Sequence, residues 1–229
     1  NGVSERLKAV MPSNYWKPDR ALSEDYLAVA LDLARLHSEK RDTYCPGAQM
    51  WVTESGDAGG GGTTWASTYQ DVFRTLNELG SFVTVTDGII FHNTLASSDY
   101  GYLSHTTFNP RPNYFAVVLW NRIMGNTVYD AAEPIREGAH VYAHSRADGK
   151  PGTAYLVINN SKTDATTVTL PKAAEVYQLS AESLRAGTML CNGKPLVLGE
   201  GNTLPDMSPV AAAAGDLVLP AATCTFIVL

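Results

Sequence analysis

The chain has 229 residues, a formal net charge of −6, 45% hydrophobic residues and no basic block. That is enough apolar material for a real core in one large domain or two small ones, and it argues against nucleic acid and anionic membrane surfaces as partners. Cys45, Cys191 and Cys224 are widely spaced, with no CxxC or zinc spacing, and no apolar run approaches the length of a bilayer span.

The first residue is Asn1 and no signal-peptide pattern follows it, so the chain is expected to begin within a longer polypeptide. Residues 1–18 read as a loop rich in Pro, Asn and aromatics. Ser23-Glu24-Asp25 then opens a helix whose apolar positions run from Tyr26 to Leu36, with Ser23 as N-cap and the early acids suiting the helix dipole. A turn at Cys45-Pro46-Gly47 leads into a strand over 48–53 that ends at Glu54. A half-buried acid at a strand end needs a partner or a chemical role. The four glycines at 59–62 let backbone N–H groups converge on an anion, because no Cβ blocks close approach. Together these features suggest a carboxylate nucleophile beside a pocket for something negatively charged.

The pattern over 64–79 predicts a second helix stopped by Gly80, and 88–92 predicts a second strand ending at His92. A polar loop through Ser98, Tyr100 and Tyr102 precedes a third helix over 114–124, stopped by Gly125-Asn126. Alternating helices and strands predict an α/β unit with parallel strands. Two strands cannot close a barrel and leave exposed edges, so the segment needs a partner, from more of the same chain or from a second polypeptide.

From about Thr127 onward the pattern changes to short β-rich runs, at 139–144, 153–158, 165–170, 175–179, 216–219 and 223–229. Asp148-Gly149, Asn159-Asn160 and Asn192-Gly193 supply turns between them. This predicts an antiparallel β-sandwich module. The expected organisation is α/β over 1–126 followed by all-β over 127–229.

With these motifs in place, the chain resembles the heparanase and β-glucuronidase family of retaining glycoside hydrolases, glycoside hydrolase family 79 of clan A. In that family a nucleophilic Glu ends barrel strand seven, in a pattern like Trp-x-Gly-Glu-Thr/Ser, and a Gly-Gly-Gly loop follows. Trp51-Val52-Thr53-Glu54-Ser55 and the glycines at 59–62 occupy those places, with Thr53 departing from the usual small residue. Downstream, Asp99-Tyr100 and Asn109-Pro110-Arg111-Pro112-Asn113-Tyr114-Phe115 are similar to the family's motifs between strand eight and helix eight. The resemblance covers nearly the whole sequence. It implies the C-terminal part of a (β/α)8 barrel, strands seven and eight with flanking helices, followed by an antiparallel β-sandwich. The first six strands would lie upstream of Asn1.

The resemblance also implies the chemistry. Glu54 is expected to be the nucleophile; position alone leaves open a helix-capping or solvated acid, and the glycines and the downstream motif favour the nucleophile. Gly60 and Gly61 are expected to offer backbone N–H groups to a uronic acid carboxylate, with Tyr100 donating its hydroxyl. His92 matches a substrate-contacting polar position that is typically Gln in the family, and a histidine satisfied at a strand end is the alternative. Tyr114 and Trp120 are expected to pack a helix, and Asp57 and Asp99 to be solvated loop acids. The general acid, a Glu preceded by Asn, is expected outside this chain, since Asn77-Glu78 lies within a helical segment. No metal or organic cofactor is implied. The implied partners are a uronic-acid-containing carbohydrate and the N-terminal barrel portion. The competing expectation is a non-catalytic carbohydrate-binding or scaffold module, and a change of sugar to xyloside or arabinofuranoside is the variant within the enzyme class.

Overall fold

The computed structural model describes residues 21–56 and 65–229. The N-terminal loop and the glycine run, with Asp57, Gly60 and Gly61, lie outside the described residues.

Helix α1 (Glu24–Tyr44) starts where the sequence predicts, with the Ser23 carbonyl accepting the Tyr26 and Leu27 N–H groups. It buries Tyr26, Leu27, Ala34 and Ser38. Strand β1 (Val52–Ser55) and strand β2 (Ile90–His92) form a parallel pair, with Val52 opposite Ile90 and Ser55 opposite His92. Between them lies α2 (Gln70–Val83), whose residues are almost all buried. Helix α3 (Pro112–Ile123) begins with Pro112, whose missing N–H costs nothing in a first turn.

One expected helix end is corrected. Gly80 does not stop α2; it lies inside the helix, against the ring of Tyr142, and a Cβ there would come within 2.4 Å of that ring. The glycine is required by packing rather than by termination. Helix α3 does end beside Gly125-Asn126, at Ile123, but the chain passes directly into β3 (Met124–Tyr129), an unexpected strand that its Gly and Asn content conceals.

Nine further strands follow: β4 (His140–Arg146), β5 (Thr153–Asn159), β6 (Thr166–Leu170), β7 (Ala174–Ser180), β8 (Leu190–Cys191), β9 (Lys194–Pro195), β10 (Val210–Ala212), β11 (Gly215–Leu219) and β12 (Thr223–Val228). The large sheet runs in the order β3-β4-β5-β12-β7-β8-β9, with β10 also pairing to β7, and all of its ladders are antiparallel. Strands β6 and β11 pair separately. The Asn192-Gly193 signal forms the β8–β9 turn, both residues having positive φ (49° and 78°). Such φ values are what Asn and Gly tolerate best.

Successive strand residues face opposite sides of a sheet, and β5 and β12 use both sides. Leu156, Ile158, Cys224, Phe226 and Val228 join Val72, Phe73, Leu76, Phe115 and Leu119 in the core beneath α2 and α3. Val157 and Ile227 face the other way, joining Leu170, Ala174 and Leu219 under the β6–β11 ribbon. Each large apolar side chain buried this way contributes about 1.5–3 kcal/mol.

A buried polar seam ties α1 and α2 to the sheet. His140 bonds Asn77 Oδ1 and Glu24 Oε1 (2.8 Å each), Tyr142 donates to Asn77 Oδ1 (2.8 Å), and Asn160 donates to Glu24 Oε1 (2.6 Å). Asn77 donates in turn to Leu27 O.

Replacing Gly80 with Ala tests the packing reading, because two effects have opposite signs. Helix propensity alone favours Ala by about 1 kcal/mol, whereas overpacking against Tyr142 costs roughly 1–3 kcal/mol. Urea unfolding should give a lower midpoint for Gly80→Ala; a higher midpoint contradicts the packing role.

Candidate active site

Strand β1 ends with two carboxylate-linked residues that go separate ways. Ser55 is buried, and its Oγ donates to Glu78 Oε1 on α2 at 2.5 Å. Glu54, the residue before it, is exposed. Its Oε1 accepts a hydrogen bond from Asn93 Nδ2 (2.8 Å), and the Asn93 backbone N–H donates to Ser55 O (2.6 Å). Asn93 therefore holds the ends of both strands together and orients the Glu54 carboxylate.

Behind Ser55 is a buried charge network. Arg74 Nη1 donates to Glu78 Oε2 (2.7 Å), and Arg74 Nε donates to Asp71 Oδ1 (2.6 Å). Asp71 is fully buried and also accepts from Asn113 Nδ2 (2.8 Å) and Thr75 Oγ1 (3.2 Å). Burial works against the charge of Arg74, but the two carboxylates outweigh it and raise its pKa well above the ordinary value. The guanidinium is thus a fixed positive charge behind the strand end.

His92 at the end of β2 stacks on Tyr102, with ring centroids 4.0 Å apart and planes 20° from parallel. Its Nε2 lies 2.8 Å from the carbonyl of Tyr100. A carbonyl only accepts, so Nε2 carries the proton. Burial first, and the nearby Arg74 second, lower the His92 pKa, which keeps the ring neutral. Tyr100 stands close to the end of β1: a Cβ on Gly56 would come within 3.3 Å of its ring and 2.7 Å of Asn93 O. Gly56 is what allows the β2–α3 loop to approach Glu54.

The structure thus brings Glu54, Tyr100 and His92 to the ends of the same parallel strand pair. Gly60 and Gly61 lie outside the described residues. Asn77 and Glu78 are both on α2, bonded within the seam and the charge network. Trp120 packs in the core against His144, and Asp99 is exposed. Sequence reasoning missed Asn93, Gly56 and the Asp71–Arg74–Glu78 set. The i, i+3 and i+4 spacing of that set was a readable signal; the reach of Asn93 across two strands was not.

The lowered His92 pKa has a definite stability sign. The neutral ring favours the folded chain fully above the unfolded value near ~6.5, and that contribution is lost as pH falls towards the folded value. The melting temperature of His92→Gln minus that of the wild type should therefore grow more positive from pH 8 to pH 5. A difference independent of pH contradicts the buried neutral ring.

No family model matches the chain. Among curated proteins it is 34% identical over 146 residues to heparanase-like protein 1 of Arabidopsis thaliana, covering 63% of this chain and 26% of that protein. It is 28% identical over 171 residues to baicalin-beta-D-glucuronidase of Scutellaria baicalensis (71% of this chain, 32% of that one). It is 27% identical over 213 residues to inactive heparanase-2 of Homo sapiens (82% of this chain, 36% of that one). The chain spans about a third of the length of these relatives. Among solved structures, a 4-O-alpha-L-rhamnosyl-beta-D-glucuronidase from Fusarium oxysporum superposes with a TM-score of 0.62 at 15% identity, covering 89% of this chain and 50% of that one, a likeness of fold alone. The chain is heparanase- and β-glucuronidase-like in sequence.

Proposed function

We propose that this chain is the C-terminal portion of a retaining glycoside hydrolase acting on β-linked glucuronic acid, with Glu54 as its nucleophile. The single observation that carries the reading is the placing of Glu54 at the end of a parallel strand, exposed and oriented by Asn93. In a (β/α)8 barrel the helices lie outside and the chemistry sits at the C-terminal ends of the strands. Glu54 stands at that end of β1.

On this reading β1 and β2 are barrel strands seven and eight, residues 1–126 belong to the barrel and 127–229 form the sandwich. The parallel pair gains no further strand among the described residues, and Trp51, Ile89 and Phe91 beside it are exposed. Both features support additional strands, supplied by the rest of a longer polypeptide or by a second one. The partial coverage of the relatives supports the same conclusion.

The mechanism is double displacement. Glu54 attacks the anomeric carbon while an acid on the missing portion protonates the leaving oxygen, the two carboxyl groups standing about 5–5.5 Å apart. Water then hydrolyses the glycosyl-enzyme with net retention, the second carboxyl having changed from acid to base. Gly60, Gly61 and Tyr100 recognise the uronate carboxylate through fixed dipoles, and the neutral His92 is a polar contact at the rim. No cofactor takes part.

In the longer polypeptide, Glu54→Gln should lower kcat on an aryl β-glucuronide by about 10³-fold or more, within the range of enzymatic covalent and electrostatic contributions. Unchanged turnover removes the assignment. A second reading, a non-catalytic carbohydrate-binding or scaffold protein, is favoured by the similarity to a protein named inactive heparanase-2. In that case the intact protein binds glucuronides without turning them over.

A further inference from the structure

The loop between β2 and α3 carries Tyr100 to the strand end, and backbone bonds from Gly101 N–H to Ser98 O (3.2 Å), Tyr102 N–H to Thr94 O (3.2 Å) and Leu103 N–H to Leu95 O (2.8 Å) give it its turns. Leu103 pairs with Pro110, and the Arg111 N–H donates to Tyr102 O (2.9 Å), closing the base of the loop. The tip has a second tie, through a side chain. The side chain of Arg111, 9% exposed, enters the loop, and its Nη1 donates to Ser98 O (2.9 Å), Gly101 O (3.1 Å) and Asp99 O. These three carbonyls flank Tyr100 on both sides in sequence. The carbonyl of Tyr100 itself meets His92 Nε2 (2.8 Å). Every carbonyl from Ser98 to Gly101 therefore has a side-chain partner, and three of the four share one cation.

Three carbonyl dipoles converging on one point repel each other unless a positive charge sits there. Arg111 supplies that charge, and its forked guanidinium offers several fixed donors where Lys offers a compact point charge. It also stands at the start of α3, immediately before Pro112, so it ties the loop tip to a rigid element.

We propose that Arg111 is a positioning residue for uronate recognition: by gathering the carbonyls on either side of Tyr100 it holds the Tyr100 side chain against Gly56, beside Glu54. The proposal rests on the role given above to Tyr100. Arg111 does not touch the sugar; it acts through the loop. Without it the tip relaxes, and the enzyme loses selectivity for the uronate more than it loses folded protein.

The test compares kcat/KM for an aryl β-glucuronide and the matching aryl β-glucoside in the longer polypeptide. The ratio of the two is independent of the fraction of enzyme folded, so a merely structural role leaves it unmoved. Tyr100→Phe and Arg111→Gln should each lower the glucuronide-to-glucoside ratio about 10-fold or more, the scale of one lost charge-assisted bond, and Arg111→Lys should recover part of it. A shifted ratio in Tyr100→Phe with a wild-type ratio in both Arg111 variants overturns the proposal and leaves Tyr100 in place. A wild-type ratio in Tyr100→Phe overturns the role of Tyr100, and the proposal with it. On the 229-residue chain itself, amide exchange at 98–102 should speed up in Arg111→Gln relative to α2. Unchanged exchange there overturns the clamp.

Discussion

The hydrogen bond from Ser55 to Glu78 decides which way strand β1 ends. Ser55 is drawn inward to α2, while its neighbour Glu54 stays exposed and bonds to Asn93. The anchor holds because Glu78 is itself fixed by Arg74, which is shared with the fully buried Asp71. Removing one partner from a buried ion pair leaves an uncompensated charge and costs about 3–5 kcal/mol. The network therefore resists rearrangement, and the strand end that carries Glu54 inherits that rigidity. Asn93 completes the arrangement from the second strand.

The rest of the molecule keeps α2 where this anchor needs it. One face of α2 rests on the large antiparallel sheet through Phe73 and Leu76, and Gly80 lets Tyr142 come in close. The seam of Glu24, His140, Asn77 and Asn160 ties the start of α1 to the same sheet. The β module is thus more than an appendage: it is the floor on which the helix behind the candidate nucleophile is set. The β6–β11 ribbon covers the opposite side of that floor, which lets β5 and β12 carry apolar residues on both faces.

Much of this was legible in the sequence where one signal had one cause. The α1 start at Ser23, the Asn192-Gly193 turn and the β12 run all formed where their patterns point, whereas the strand expected over 48–53 forms only at Val52–Ser55 and includes Glu54. The misreadings share a physical origin: a glycine says that a Cβ is excluded but not why. Gly80 excludes it for a tyrosine ring inside a helix, and Gly125 sits in a strand that follows α3 directly. Strand β10, built from Val210 and two alanines, has a single β-forming residue and pairs along β7. Asn93 and Arg111 were opaque for another reason. Their importance lies in atoms they meet across the loop, and nothing in their local sequence announces those meetings.

The central claim is that Glu54 becomes covalently bonded to a glucuronyl group, and trapping that bond tests it most directly. A 2-deoxy-2-fluoro-β-D-glucuronyl fluoride reacts with a retaining enzyme but slows the hydrolysis that follows, so the glycosyl-enzyme accumulates. After incubation with the longer polypeptide, peptide mass spectrometry should find one fluoroglucuronyl increment on the peptide containing Glu54. An increment on another carboxylate, or no adduct in a protein that still turns over glucuronides, contradicts the account.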